Sequence, residues 1–198
     1  MLVAVPSNGE VAWALPTTGE RRSSRDDRAL VRAAQRGDAD ALERLFRAHW
    51  AMAHRAAYLG VHDAGAAEDI AQEAFLAAIR ALDRFDRRRP FAPWLHRIVV
   101  NRAIDHARSR AIRREVGAEL VPEAAAGEEW AASVYSDSTM AALGALPPDH
   151  RGVIVLRHLL EYTPGEIARM LDLPRGTVNS RLRRGLDELA QTLEEDRA

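Results

Sequence analysis

Apolar residues recur along most of this chain at three- and four-residue intervals, and that rhythm divides it into helices. Leu30, Ala33 and Ala34 form a first short stripe that Gly37 closes, and Asp38 caps a second helix. This second helix carries Leu42, Leu45, Phe46 and His49 on one face and ends near Gly60. Asp63 caps a third, whose inward positions are Ala67, Ile70, Ala71, Ala74, Ala78 and Leu82. A basic loop from Asp86 to Pro90 leads into a fourth helix from about Phe91 to Arg114, with Phe91, Leu95, Ile98 and Val99 as its apolar stripe. The rhythm fades from about Glu115 to Ser138, where Ala, Gly and Glu dominate and Pro122 and Gly127 interrupt. It resumes at Thr139, pauses at Pro147-Pro148 and continues to the C-terminus.

No run alternates apolar and polar positions long enough for a strand, so the expected fold class is all-α. Two small helical domains are expected, residues 28–114 and 140–192, joined by a flexible acidic linker, 115–139. Residues 1–27 lack periodicity and read as a flexible tail; residues 193–198 form a C-terminal tail.

The segment YTPGEIARMLDLPRGTVNSRLRRG, Tyr162 to Gly185, predicts a helix-turn-helix. Thr163 can cap its first helix, Pro164 suits the first helical position, and Glu166 completes a capping box. Ile167, Leu171, Leu173, Val178 and Leu182 are spaced to pack two short helices across a tight turn. The second helix buries Val178, Leu182, Leu186 and Leu189, which turns Thr177, Ser180, Arg181 and Arg184 outward. That is where groove and phosphate contacts are made, and Arg175 and Asn179 flank them. The plainer alternative is an amphipathic hairpin with a solvated charged face.

Charge sharpens this picture. The net charge of −1 conceals nine arginines and one acid between Arg87 and Arg114, followed by seven acids and no arginine between Glu115 and His150. A basic block beside an acidic one points to polyanion contact at one place and a basic partner at another. All 28 basic residues are arginine, mainly the mark of a GC-rich genome, although arginine also suits bidentate contacts to phosphate and guanine. With no cysteine, disulfides and thiolate metal sites are excluded. The N-terminal apolar runs are short and broken by Pro6, Asn8, Gly9 and Glu10, so neither a signal peptide nor a membrane span is expected; the expected compartment is the cytosol.

On the fourth helix Trp94, Arg97, Asn101, Asp105 and Arg108 share one face beside the apolar stripe. An aromatic edge, an amide and tracking arginines are what single-stranded nucleic acid requires, whereas the plainer reading makes Trp94 core and the arginines solvated. The third helix places Asp69, Gln72 and Glu73 on an exposed face with Glu68 beside Gln72. No histidine falls at ligand spacing among them, so no metal or cofactor is expected.

The order AEDIAQEAFLAAIRAL, RFDRRRPFAPWLHRIVVNRAIDHAR, an acidic linker, then LPPDHRGVIVLRHLLEYTPGEIARMLDLPRGTVNSRLRRG resembles the sigma-70 superfamily. More narrowly it resembles its extracytoplasmic-function (ECF) class. The resemblance implies that Glu68, Asp69, Gln72 and Glu73 dock on the β′ clamp helices of core RNA polymerase, with the β flap a further contact. It implies that Arg87, Arg88, Arg89, Trp94, Arg97, Asn101 and Arg108 recognise and melt the −10 promoter element, Asn101 lying near a flipped base. The recognition helix, with Arg175, Thr177, Asn179, Ser180, Arg181 and Arg184, would read −35 duplex, and the linker would thread toward the basic RNA exit path. An anti-sigma factor joins the implied partners, with no small-molecule substrate and no catalysis. Two positions depart from the pattern: Asp172 where the family turn usually has glycine, and Asn179 where Lys or Arg is common.

The rival reading is a dimeric helix-turn-helix repressor or activator. It gives no reason for the Trp94–Arg108 face or the acidic third helix, and no apolar pairing face is evident. A hydrolase is disfavoured because the seven histidines are scattered and there is no nucleophile elbow or Gly-rich phosphate loop.

Overall fold

A computed structural model describes residues 24–115, 131 and 134–196. Within these the chain is helical, with no strand. The first half contains α1 (Ser24–Ala34), α2 (Ala39–Val61), α3 (Ala64–Ala81), a 3-10 turn (Leu82–Arg84) and α4 (Phe91–Glu115). The second contains α5 (Asp137–Ala145), α6 (Pro148–Ile154) running into a π turn (Val155–Leu159), α7 (Pro164–Leu171) and α8 (Arg175–Glu195).

Local chemistry starts these helices where the sequence predicts. Asp38 and Asp63 accept from the backbone N–H groups of Ala41 and Ala66, both at 3.0 Å, quenching donors that the first turn leaves orphaned. Two boundaries differ. α1 begins at Ser24, inside the segment expected to be a tail, because Asp27 is buried and its carboxylate lies 3.2 Å from His49 Nε2. The charged run around it hides a core residue. The tail expectation for residues 1–23 falls outside the described residues, as does most of the linker; α5 begins at Asp137, capped by Ser136, two residues before Thr139.

Small residues set the helix spacing. Ala53, Ala56, Ala57, Ala67, Ala71 and Ala74 are buried between α2, α3 and α4, so these helices approach closely around Leu45, Leu95 and Val99. In the second half α6 crosses α8 at Gly185, where a Cβ would stand 2.8 Å from Ile154 Cδ1. Leu186, expected inside, is only half-buried, and Gly185 takes the inward position instead.

The two halves share one hydrophobic core rather than standing apart. α6 lies against α4 at Gly152, where a Cβ would meet Ile104 Cδ1 at 2.6 Å. Arg151, buried beside it, donates from Nη1 to Gly60 O (2.8 Å) and from Nη2 to Gly144 O (2.6 Å) and Leu146 O (2.8 Å). These carbonyls lie at the C-terminal ends of α2 and α5, where the helix leaves acceptors without partners and the macrodipole favours a cation. One guanidinium therefore caps two helices from different halves. Nearby, His96 Nδ1 and the Tyr162 hydroxyl are 2.8 Å apart, joining α4 to the turn before α7.

Candidate nucleic-acid interface

The helix-turn-helix forms as its residues dictate. Thr163 Oγ1 accepts from the Glu166 N–H, and the Glu166 carboxylate accepts from the Thr163 N–H at 2.8 Å, so both arms of the capping box are present. Hydrogen bonds from the Thr163 hydroxyl and N–H hold the Glu166 carboxyl below its ordinary pKa. Ile167 and Val178 are fully buried between α7 and α8. Asp172 adopts the left-handed conformation (φ 54°, ψ 47°) and its N–H reaches Ala168 O. The turn therefore closes on an aspartate where glycine is the easier choice.

Along α8, Arg175, Asn179, Arg183 and Arg184 are exposed. Thr177, Ser180 and Arg181 are half-buried rather than fully outward. Arg181 is withdrawn the most informatively: its side chain is 24% exposed and Nη1 lies 3.5 Å from Asp149 Oδ1.

The basic loop is pinned from below. Gln35 Nε2 donates to Leu82 O (2.8 Å) and Phe85 O (3.1 Å), fixing the 3-10 turn against α1. Asp86 then accepts from the Arg88 N–H at 3.0 Å, which turns the chain and leaves Arg87, Arg88 and Arg89 exposed together. On α4, Arg97 is exposed and Asn101 half-buried. Trp94 is half-buried, its ring 4.5 Å from Phe85 and 5.7 Å from Phe91. It is thus partly core, which holds the ring rigidly at the edge of the basic face. Arg108 is drawn toward α6, with Nη2 2.6 Å from Asp149 Oδ1.

The third helix exposes Glu68, Asp69, Gln72 and Glu73. Glu68 accepts from Gln72 Nε2 at 3.0 Å, and Glu73 is 2.6 Å from Arg102 Nη1, so Glu73 is partly engaged within the protein. The same helix continues the stripe with Leu76 (50% exposed) and Ile79 (40%), and Phe46 of α2 adds a third exposed apolar side chain (37%). Phe46 stacks on Trp50 at 4.9 Å. Sequence reasoning singles out only the acids, although Leu76 and Ile79 lie outside the buried phase of α3 and are legible there. Exposed apolar side chains grouped within a polar surround are a common composition of protein-interaction surfaces.

Among the described residues no cluster of His, Asp or Glu could hold a metal, and no helix is long and apolar enough to cross a membrane.

Two family models cover these two halves. Residues 45–112 match Sigma-70 region 2, and residues 136–189 match Sigma-70, region 4. The ECF RNA polymerase sigma factor SigW of Bacillus subtilis is 31% identical over 176 residues, covering 82% of this chain and 94% of that protein. The chain belongs to the ECF sigma factors. SigM of Mycobacterium tuberculosis, also an ECF RNA polymerase sigma factor, is 34% identical over 172 residues, 87% of each chain. Among solved structures, CnrH in complex with the cytosolic domain of CnrY is 32% identical with a TM-score of 0.64, covering 86% of this chain and 99% of that one. The sigma factor RpoE of Bartonella quintana, solved with the anti-sigma factor NepR, shares the fold at a TM-score of 0.64 and 21% identity. The resemblance drawn from motif order is therefore shown, and the dimeric repressor is not favoured. This ECF sigma factor is a DNA-binding protein of transcription initiation, and its two matched regions fall one in each half of the fold.

Proposed function

We propose that this sigma factor divides its work between residues 28–114 and 140–192 as follows. The first docks on the β′ clamp helices of core RNA polymerase through Glu68, Asp69, Gln72 and Glu73, with Leu76 and Ile79 supplying apolar area beside them. It captures unpaired −10 bases with Arg87, Arg88, Arg89, Trp94, Arg97, Asn101 and Arg108. The second contacts the β flap and reads −35 duplex through Arg175, Thr177, Asn179, Ser180, Arg181 and Arg184. The acidic linker, outside the described residues, tracks the basic RNA exit path. Catalysis is left to the polymerase, the protein works in the cytoplasm, and an anti-sigma factor restrains it. What supports this most is the presence, in one region-2 unit, of an exposed acid-and-apolar stripe on α3 and a basic, Trp-edged face on α4.

Run-off transcription with purified core polymerase on a genomic fragment library tests the reading and returns the promoter. Wild-type protein should yield discrete transcripts. Asp69→Arg combined with Glu73→Gln should reduce core binding at least about tenfold, the scale on which unfavourable charge at an interface acts. Folding should be little affected, since both residues are exposed and the Glu73–Arg102 pair is worth about 1 kcal/mol or less. Unchanged co-purification with core polymerase would refute the docking face.

On the DNA side, Arg181→Ala with Arg184→Ala should weaken −35 duplex binding and flatten its salt dependence, by about 0.9 in the log–log slope for each phosphate left without its arginine. Fluorescence anisotropy across a salt series checks this. Equal slopes for variant and wild type would remove these arginines from the DNA interface.

A further inference from the structure

Asp149 stands at the second position of α6, directly after Pro148. Its Oδ1 lies 2.6 Å from Arg108 Nη2 and 3.5 Å from Arg181 Nη1. Arg108 belongs to the basic face of α4 and Arg181 to α8, so one carboxylate holds one arginine from each of the two helices read as contacting DNA. A carboxylate between two guanidiniums occupies the position, and satisfies the donors, that a phosphate would.

We propose that Asp149 is an internal phosphate surrogate: it ties Arg108 of the first half to the second, and while paired it withholds both Arg108 and its own half's Arg181 from DNA phosphate. The inference rests on the assignment of those two arginines to DNA contact. Partly exposed ion pairs of this kind add only about 1 kcal/mol to folding stability, so holding the fold is not a sufficient account of the arrangement. Its effect falls instead on competition: each arginine neutralised internally is one that DNA phosphate must win back. The clamp also sits where it can control the packing. Gly152 against Ile104, Arg151 on Gly60 O and the His96–Tyr162 contact all lie between the same two halves. With its side chains 50% (Arg108), 31% (Asp149) and 24% (Arg181) exposed, the clamp remains open to displacement by a competing polyanion or by salt.

The full chain has no cysteine, so cysteines introduced at Glu43 of α2 and Gln191 of α8, both exposed, take a dye pair for energy transfer between the halves. Anisotropy on a generic duplex of about 20 base pairs across a salt series provides the second readout. Asp149→Asn, which keeps the side-chain size, should lower transfer efficiency and raise duplex affinity roughly three- to tenfold. It should also steepen the log–log salt slope by about 1 to 2, as one or two more phosphates are neutralised. Asp149→Glu should restore wild-type behaviour. If the Asn variant is poorly folded by circular dichroism, Arg108→Gln removes the clamp from the other side, and a fall in transfer efficiency is the expected result. Unchanged transfer in a folded variant overturns the clamp, and an unchanged salt slope overturns the withholding of the arginines even if the halves separate. The Arg181→Ala control separates the two readings. If it weakens duplex binding while Asp149→Asn changes nothing, DNA contact stands and the clamp falls. If Arg181→Ala is silent, the DNA assignment fails, and with it the withholding.

Discussion

Arg151→Met should destabilise this protein by about 3 kcal/mol or more, since it strips a charged donor from three largely enclosed carbonyls at once. Methionine matches the length of the arginine stem but offers no N–H, so Gly60 O, Gly144 O and Leu146 O lose their partners. Lysine should fail almost as badly, because a single ammonium cannot span the two helix ends that the planar guanidinium fork reaches. Urea denaturation followed by circular dichroism measures the loss, expected alongside a fall in melting temperature of roughly 10 °C. A change within about 0.5 kcal/mol, the range of an ordinary surface substitution, would mean that these helix ends find other donors.

The second large effect is acid sensitivity. Burial pushes His96 down to about 3, with the charge of His49 adding to it. His62 falls to about 4 through burial first and the nearby Arg151 charge second. Both histidines are thus carried neutral in the folded chain and take up a proton when it unfolds. Their contribution is complete above pH 6.5, the ordinary value from which both are lowered, and declines as pH drops below it. At pH 5 each is expected to cost about 2 kcal/mol, because unfolded histidine is almost fully protonated there while both folded values lie lower. Both also lie between the two halves: His96 meets Tyr162, and the His62 ring is 3.5 Å from the Cβ position of Gly144. Melting temperatures from about pH 7.5 to 4.5 should therefore fall steeply, and His62→Gln with His96→Gln should flatten that profile. Arg151→Met should flatten it in part, since removing the cation lets the His62 pKa rise. Parallel profiles for wild type and the histidine double variant would show that acid acts elsewhere.

The parts of this molecule that are legible in the sequence are those encoded locally. The capping box at Thr163 and Glu166, the Pro164 start and the Ile167–Val178 packing lie close together along the chain, so pattern alone places the helix-turn-helix. The exposed phase of α3 is visible for the same reason. What escapes is tertiary. Arg151 and Gly60 are 91 positions apart, His96 and Tyr162 66, and Arg108 and Asp149 41, and no short-range periodicity encodes such pairs. Asp27 hides in a charged run that looks solvated until His49 is seen beside it. Helical phase alone turns Arg181 outward, whereas Asp149 of another helix draws it in.

The π turn at Val155–Leu159 sets an angular phase for everything that follows it. There Leu160 N–H bonds to Val155 O at 3.1 Å, a five-residue step in place of four. Removing one residue from that turn would restore α-helical geometry and rotate the downstream chain by about 100° about the helix axis. Tyr162 would then swing away from His96, and α8 would turn a different side outward. The heading of α8 is therefore fixed by one surplus residue in a turn that buries Val155, Leu156 and Leu159.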